Sequence, residues 1–289
     1  MTIEDPYASQ YHAMYPPAVA DQMLKRVAMT QIKSAVRTSS ESVLELAVGK
    51  TDETNYVFWV LQHGAMKRLF LDVPLASIVA VGHKNFANDA GTWRALLEGL
   101  HGIGWENDTI EYFESEIAEE PFPAPTAREF LKFDAIGGMV TCTNGIHRLV
   151  AAVCWLAATQ GASATLKKVL VNVYPIHAGA KSFVLDQIAA GRRVDIAVKP
   201  SPDGTRKIAL FRVTTNHSAK FYLIDGQNVR TADQRFSLAD RARMFFNPTD
   251  PKAFSQNWHT IAPRLANALA NDAWLQQQLA TPVYTDFPS

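Results

Sequence analysis

At 289 residues, with 47% hydrophobic and 19% charged side chains, the chain has the composition of a folded globular protein and not of a disordered one. Its 28 basic and 28 acidic residues cancel, which excludes a general electrostatic pull towards nucleic acid or an anionic membrane, so any nucleic-acid contact has to be local. The two cysteines, Cys142 and Cys154, are too few for a disulfide framework and form no zinc-ligand spacing. No apolar run approaches the roughly 18 to 20 residues of a membrane span, and Met1 to Tyr11 is too acidic and polar for a signal peptide. A cytoplasmic protein without a membrane partner is expected.

In chain order, Ala18 to Ala35 follows Pro16-Pro17 and repeats apolar residues at helical spacing, which predicts an N-terminal helix. Tyr56 to Leu61 reads as a strand, and Thr109 to Phe113 alternates like another. Glu119 to Pro125 is proline-rich and acidic and predicts a surface loop. Ile136 to Val140 reads as a strand, and Leu149 to Ala158 as an apolar helix. Lys168 to Ile176, rich in β-branched residues, predicts a further strand. Lys181 to Ala190 looks helical. Beyond it, the turn Ser201 to Gly204, the apolar runs Ile208 to Val213 and Phe221 to Ile224, and the turn Asp225-Gly226 predict a small antiparallel sheet. Leu238 to Phe246 and Ile261 to Leu279 close the chain as helices, with Trp258 and Trp274 as anchors. The alternation implies an α/β or α+β core.

Between the strand at 136 and the helix at 149 lies Thr141-Cys142-Thr143-Asn144-Gly145-Ile146-His147-Arg148. A polar loop that opens a helix offers backbone N–H groups and the positive end of the helix dipole, so it suits an anion before any side chain contributes. Gly145 lets the backbone approach closely, Arg148 adds a bidentate guanidinium, and His147 a donor adjustable near neutral pH. Thr143, Asn144, Gly145, His147 and Arg148 are therefore the phosphate-binding candidates, with His147 and Arg148 also the catalytic ones. The plainer expectation is a turn at Asn144-Gly145 followed by a solvated first helical turn.

Gly145-Ile146-His147-Arg148-Leu149-Val150-Ala151-Ala152 resembles the Gly-x-His-Arg loop and alanine-rich helix of the ParB/sulfiredoxin-like superfamily. Val73 to Ile78 is similar to the opening strand and turn of those domains, and Leu96 to Trp105 to the glycine-ended helix that follows. The resemblance covers roughly residues 70 to 177. It implies a ParB/sulfiredoxin-like core over 46–180, with a helical N-terminal segment at 1–45 and a C-terminal α+β extension at 181–289 packed on the core. It further implies a nucleotide or other phosphorylated ligand held at Gly145, His147 and Arg148, with a nucleoside triphosphate and Mg as the candidate cofactor; NTP hydrolysis, phosphoryl transfer and nuclease activity are the candidate reactions, but no particular one carries over from the resemblance. The chain departs from particular members: Ile146 stands where sulfiredoxins place their cysteine, and Asn144 where many relatives have aspartate.

The same string, Cys142 to Arg148, is similar to the Cys-x5-Arg loop of cysteine-dependent phosphatases, especially RNA 5′-triphosphatases, and in that alternative Cys142 is the nucleophile. Here Thr141 replaces the usual histidine and Leu149 the usual hydroxyl residue. Leu166, Val169, Leu170 and Val173 also satisfy the helical spacing that such a fold requires at this point. A third alternative is a non-catalytic DNA- or protein-interaction module of plasmid or phage type. Arg192, Arg193, Lys199, Arg206 and Lys207, near Phe211, Phe221 and Tyr222, would be its nucleic-acid surface, although a solvated hairpin edge, whose alternating lysine and arginine protect an edge strand from pairing, is the preferred explanation. No metal-ligand set and no oligomeric state can be read from the residues.

Overall fold

The computed structural model describes residues 8–18, 20, 26–82, 91–123, 129–200, 207–215, 218–225, 228–231 and 258–286. The expected turn at Ser201 to Gly204 and helix at Leu238 to Phe246 lie outside the described residues, as does Gly226 of the turn after Asp225.

The architecture is mixed α/β. Helices α1 (Ala8–Met14) and α2 (Val27–Thr38) precede the short strand β1 (Gly49–Lys50), helix α3 (Thr51–Leu61) and strands β2 (Lys67–Pro74) and β3 (Ile78–Val81). Helices α4 (Trp93–Glu98) and α5 (Asn107–Glu114) follow, then strands β4 (Lys132–Ile136) and β5 (Met139–Asn144), helix α6 (Ile146–Gln160) and strand β6 (Thr165–Tyr174). These strands form a six-stranded sheet in the order β1-β3-β5-β4-β6-β2. The pairs β1/β3, β3/β5 and β4/β6 are parallel, while β4/β5 and β2/β6 are antiparallel.

Helix α7 (Ala178–Ala189) leads to strands β7 (Arg193–Pro200), β8 (Lys207–Thr214), β9 (Ala219–Asp225) and β10 (Asn228–Thr231). With β11 (His259–Thr260) they make a second sheet ordered β10-β9-β8-β7-β11, antiparallel throughout, as the turn signals predict. Helices α8 (Pro263–Ala270) and α9 (Ala273–Ala280) follow. The single helix expected over Ile261 to Leu279 is thus two, parted at Asn271 and Asp272.

Two segments expected as strands are helices, and in both the burial pattern gives the reason. In α3, Thr54, Val57, Phe58 and Leu61 are buried at i, i+3, i+4, i+7, while Asp52 and Glu53 occupy the first turn where the helix dipole favours acids. Packing of that stripe outweighs the β propensity of Tyr56, Val57 and Phe58. In α5, Thr109, Tyr112 and Phe113 share a buried face and Asp108 opens the first turn. The apparent strand Ile136 to Val140 is a hairpin: Gly137, at φ +55°, supplies the turn that returns β4 into β5. The expected helix over Leu96 to Trp105 ends at Glu98, with Gly99 as its cap.

Side-chain alternation sends Val140 and Cys142 to one core and Met139 to another, so the six-stranded sheet is covered on both faces. On the first face α6 packs among α2, α4 and α5. It is apolar almost all round, with Leu149 to Cys154 fully buried, as befits a helix enclosed on all sides. On the second face α3, α7 and α8 join Val194, Ile196, Phe211 and Val213 of the second sheet. At the β2 edge, Gln278 accepts from Asp72 N at 2.8 Å and donates to Asp72 O at 2.8 Å. In the second sheet Asp195 is fully buried and accepts from Arg212 Nη2 at 2.7 Å, Arg193 Nε at 2.8 Å and Thr260 Oγ1 at 2.6 Å.

Candidate functional site

The site expected from the sequence is the junction of β5 and α6. Gly145 sits between them in the left-handed region, φ +84° and ψ +31°, which turns a strand into a helix within one residue. A Cβ there would lie 2.9 Å from both Arg148 Nη2 and Leu131 Cδ1, so glycine is required on steric as well as conformational grounds. The first helical bond runs from Leu149 N to Gly145 O at 2.9 Å, and no side chain caps the helix. The N–H groups of Ile146, His147 and Arg148 therefore begin a 15-residue helix with its positive end at the loop.

Arg148 is not the solvated first-turn residue that the plain reading expects. It is 7% exposed. Its guanidinium carbon lies 5.3 Å from the centre of the Phe122 ring, and Nη2 donates to Glu129 O at 2.9 Å. Nη1 is buried without a hydrogen-bond partner. No carboxylate pairs with it among the described residues. A buried cation thus curls over Gly145 at the positive end of its own helix, where dipole and burial both oppose it. The Tyr112 hydroxyl lies beside it: burial raises that group's pKa, and the guanidinium's charge and its hydrogen bond to the hydroxyl pull it back down.

The remaining candidates divide by role. Asn144 Nδ2 donates to Glu129 Oε2 at 3.2 Å and to Phe130 O at 3.0 Å, fastening the 129–130 segment to the loop. Thr143 is exposed, and its hydroxyl donates to Lys132 O at 3.2 Å, along the hairpin and not into the loop. His147 is half-buried, with its ring edge-on to His101 at 5.9 Å. The site as folded is therefore Gly145, the first amides of α6, Arg148 and, at its border, His147 and Asn144.

Cys142 does not belong to it. The thiol is fully buried among the helices of the first core, donates to Asn144 O at 3.2 Å, and has its pKa pushed up to about 12 by burial. A nucleophilic cysteine requires the opposite, an accessible thiolate. The segment that a phosphatase fold needs as a helix is β6, paired on both edges. Its cross-strand bonds take up the alternation of Val169, Val171 and Val173, which outweighs the helical spacing.

No protein-family model, curated protein or solved structure matches the chain. The site is accordingly judged on its own chemistry.

Among the described residues no three His, Cys, Asp or Glu side chains are arranged to hold a metal ion. The described aromatics and arginines of the basic cluster are engaged within the protein. Phe211 and Phe221 are buried, Tyr222 packs on Phe183 with ring centres 4.7 Å apart, and Arg193 is engaged by Asp195. Arg192 donates to Gln187 at 2.6 Å. Arg206 lies outside the described residues, as do the side chains of Lys199 and Lys207. No helix of the described residues is long and apolar enough to cross a membrane.

Sequence reasoning missed Tyr112, Phe122 and Glu129. The signal for Phe122 was present, since Glu119 to Pro125 reads as a loop, but nothing in the sequence pairs that loop with Arg148. Tyr112 was concealed by the strand expected over Thr109 to Phe113.

Proposed function

We propose that the protein binds a phosphorylated ligand at the N-terminus of α6, with the phosphate held by Arg148 and the amides that follow Gly145. The observation that carries this reading is the orphaned Nη1 of a buried guanidinium, without an ion pair among the described residues, at the positive end of a helix. Removing a charge from water costs several kcal/mol unless a partner offsets it, and a bound oxyanion would supply that partner. Arg148 would donate through its fork, the helix amides would bind the remaining oxygens, and His147 would stand at the border as a further donor. The resemblance of Gly145 to Ala152 to the ParB/sulfiredoxin-like loop supports the same ligand class, with a nucleoside triphosphate as one member.

Titration calorimetry with inorganic phosphate, pyrophosphate and nucleoside triphosphates tests it. Saturable binding of at least one of them, weakened at least tenfold in Arg148→Met, is the expected result. Equal affinity of wild type and variant for every ligand that binds refutes it.

A further inference from the structure

Strand β6 carries a bulge that its pairing does not require. Leu166 and Val169 both point into the first core with two residues between them, and β2 answers those two with Asp72 alone. Lys168 absorbs the extra residue in the left-handed region, at φ +46°, and is the one described residue other than glycine to do so. Backbone strain of this kind persists where the surrounding contacts over-determine it. Here Asp72 Oδ1 accepts from Lys168 N at 3.0 Å, and the buried side chain is turned towards the loop after α5. Its ammonium is gathered by Glu119, by Glu116 at 3.8 Å and by Asp286 at 2.8 Å.

The first part of that loop is zipped to β6, with Ile117 N donating to Lys167 O and Ala118 N to Lys168 O, both at 3.1 Å. Beyond Ala118 the tie to β6 is the ion pair of Glu119 with Lys168. Three residues further on, Phe122 lies over the Arg148 guanidinium at 5.3 Å. The ring is also seated against Trp105 at 5.3 Å and Tyr112 at 5.1 Å, so the covered arrangement is the resting one. In it Arg148 Nη1 is buried, and a phosphate has no way to it.

Something has to move before an anion can bind. Helix α5 is held by its buried Thr109, Tyr112 and Phe113, and Asn144 fastens the segment at Glu129 and Phe130. The stretch from Glu119 to Pro123 differs: it borders an open cleft of about 470 Å3 and so has space to shift into. We propose that this stretch is a cover over the phosphate site, latched by the Glu119–Lys168 ion pair. Release of the pair lets Phe122 leave the guanidinium, and the phosphate takes its place. This rests on the phosphate-site reading above. A ligand that binds only the uncovered state has its apparent affinity reduced by the fraction of molecules that are uncovered, so a weaker latch means tighter binding.

Calorimetry with inorganic phosphate on the wild type, Lys168→Met, Glu119→Gln and Glu111→Gln tests it. Lys168→Met is the diagnostic change, because it removes a positive charge and would weaken phosphate binding if charge alone mattered. The latch requires the opposite, a gain of about threefold, the size of one partly exposed ion pair. Glu119→Gln should give the same gain, and it carries the test if the bulge does not fold with methionine. Glu111→Gln removes an equal charge from the α5 wall of the cleft, away from the latch, and should leave affinity unchanged. Unchanged or weaker binding in either folded latch variant, or an equal gain in Glu111→Gln, overturns the latch while leaving the phosphate site standing. Binding seen only in the latch variants supports both. Absence of phosphate binding in the wild type and every variant overturns the phosphate-site reading, and the latch with it.

Discussion

Replacing Arg148 with methionine separates a guanidinium that awaits an anion from one that serves the fold. The change keeps most of the side-chain volume and removes the charge. Two terms then favour the variant: relief of a cation at a helix N-terminus, about 0.3–1 kcal/mol, and removal of the unsatisfied Nη1, about 1–3 kcal/mol. Two oppose it: loss of the charged hydrogen bond to Glu129 O, about 1.5–3 kcal/mol, and loss of the Phe122 contact, about 0.5–2 kcal/mol. The sums nearly cancel, so the ligand-free variant should lie within about 1 kcal/mol of wild type. At this chain length that is a melting shift of about 2–3 °C or less. Phosphate at 100 times the wild-type Kd should raise wild-type stability by about 2.7 kcal/mol and that of the variant by about 1.4 kcal/mol or less, as a tenfold or greater loss of affinity requires. Paired melts with and without phosphate measure both. A loss of about 3–5 kcal/mol without ligand, the cost of breaking a satisfied buried ion pair, would refute the reasoning.

Gly145→Ala should cost about 1–2 kcal/mol, because alanine must adopt φ +84° and displace Arg148 or Leu131, and it should weaken phosphate binding alongside the lowered melting temperature. Cys142 and Cys154, both with pKa values pushed up to about 12 by burial, stay neutral in the native protein at a pH where the unfolded chain ionises them. Stability should therefore fall between about pH 9 and 12 by roughly 1.4 kcal/mol per pH unit per thiol, and native iodoacetamide labelling should be negligible from pH 5 to 9; rapid labelling near pH 6 would contradict this. Burial raises the pKa of Asp195, but hydrogen bonds from Thr260, Arg193 and Arg212 outweigh it and leave the value lowered. The stability it contributes is present above the ordinary carboxylate range and lost as pH falls through the depressed value. Asp195→Asn should cost about 3–5 kcal/mol in chemical denaturation and flatten the acid limb, and a cost below 1 kcal/mol would mean that Arg212 is satisfied without it.

The sequence made legible what depends on neighbours along the chain. Gly145 and the apolar helix after it announce the strand-to-helix junction, and the β-branched run of β6 and the turns of the second sheet announce strands. It misled where tertiary packing decides, as in α3, whose Tyr56 to Leu61 favours a strand by composition but buries a helical stripe against the sheet. The burial of Arg148 was illegible for a related reason: Phe122, Glu129 and Tyr112 reach it from three separate segments, and only the fold brings them together. Cys142 shows the converse, since spacing suggests a nucleophile while alternation along β5 turns the sulfur into the core.

Gln278 meets the backbone of Asp72 with both halves of its side-chain amide, in the manner of a neighbouring strand. Strand β2 is an outer strand of its sheet, and such a strand invites pairing with a second molecule. By occupying one donor and one acceptor there, and by laying α9 alongside, the C-terminal helix acts as a stopper against edge-to-edge association. Loss of that helix would expose a template for self-assembly even if every core contact survived.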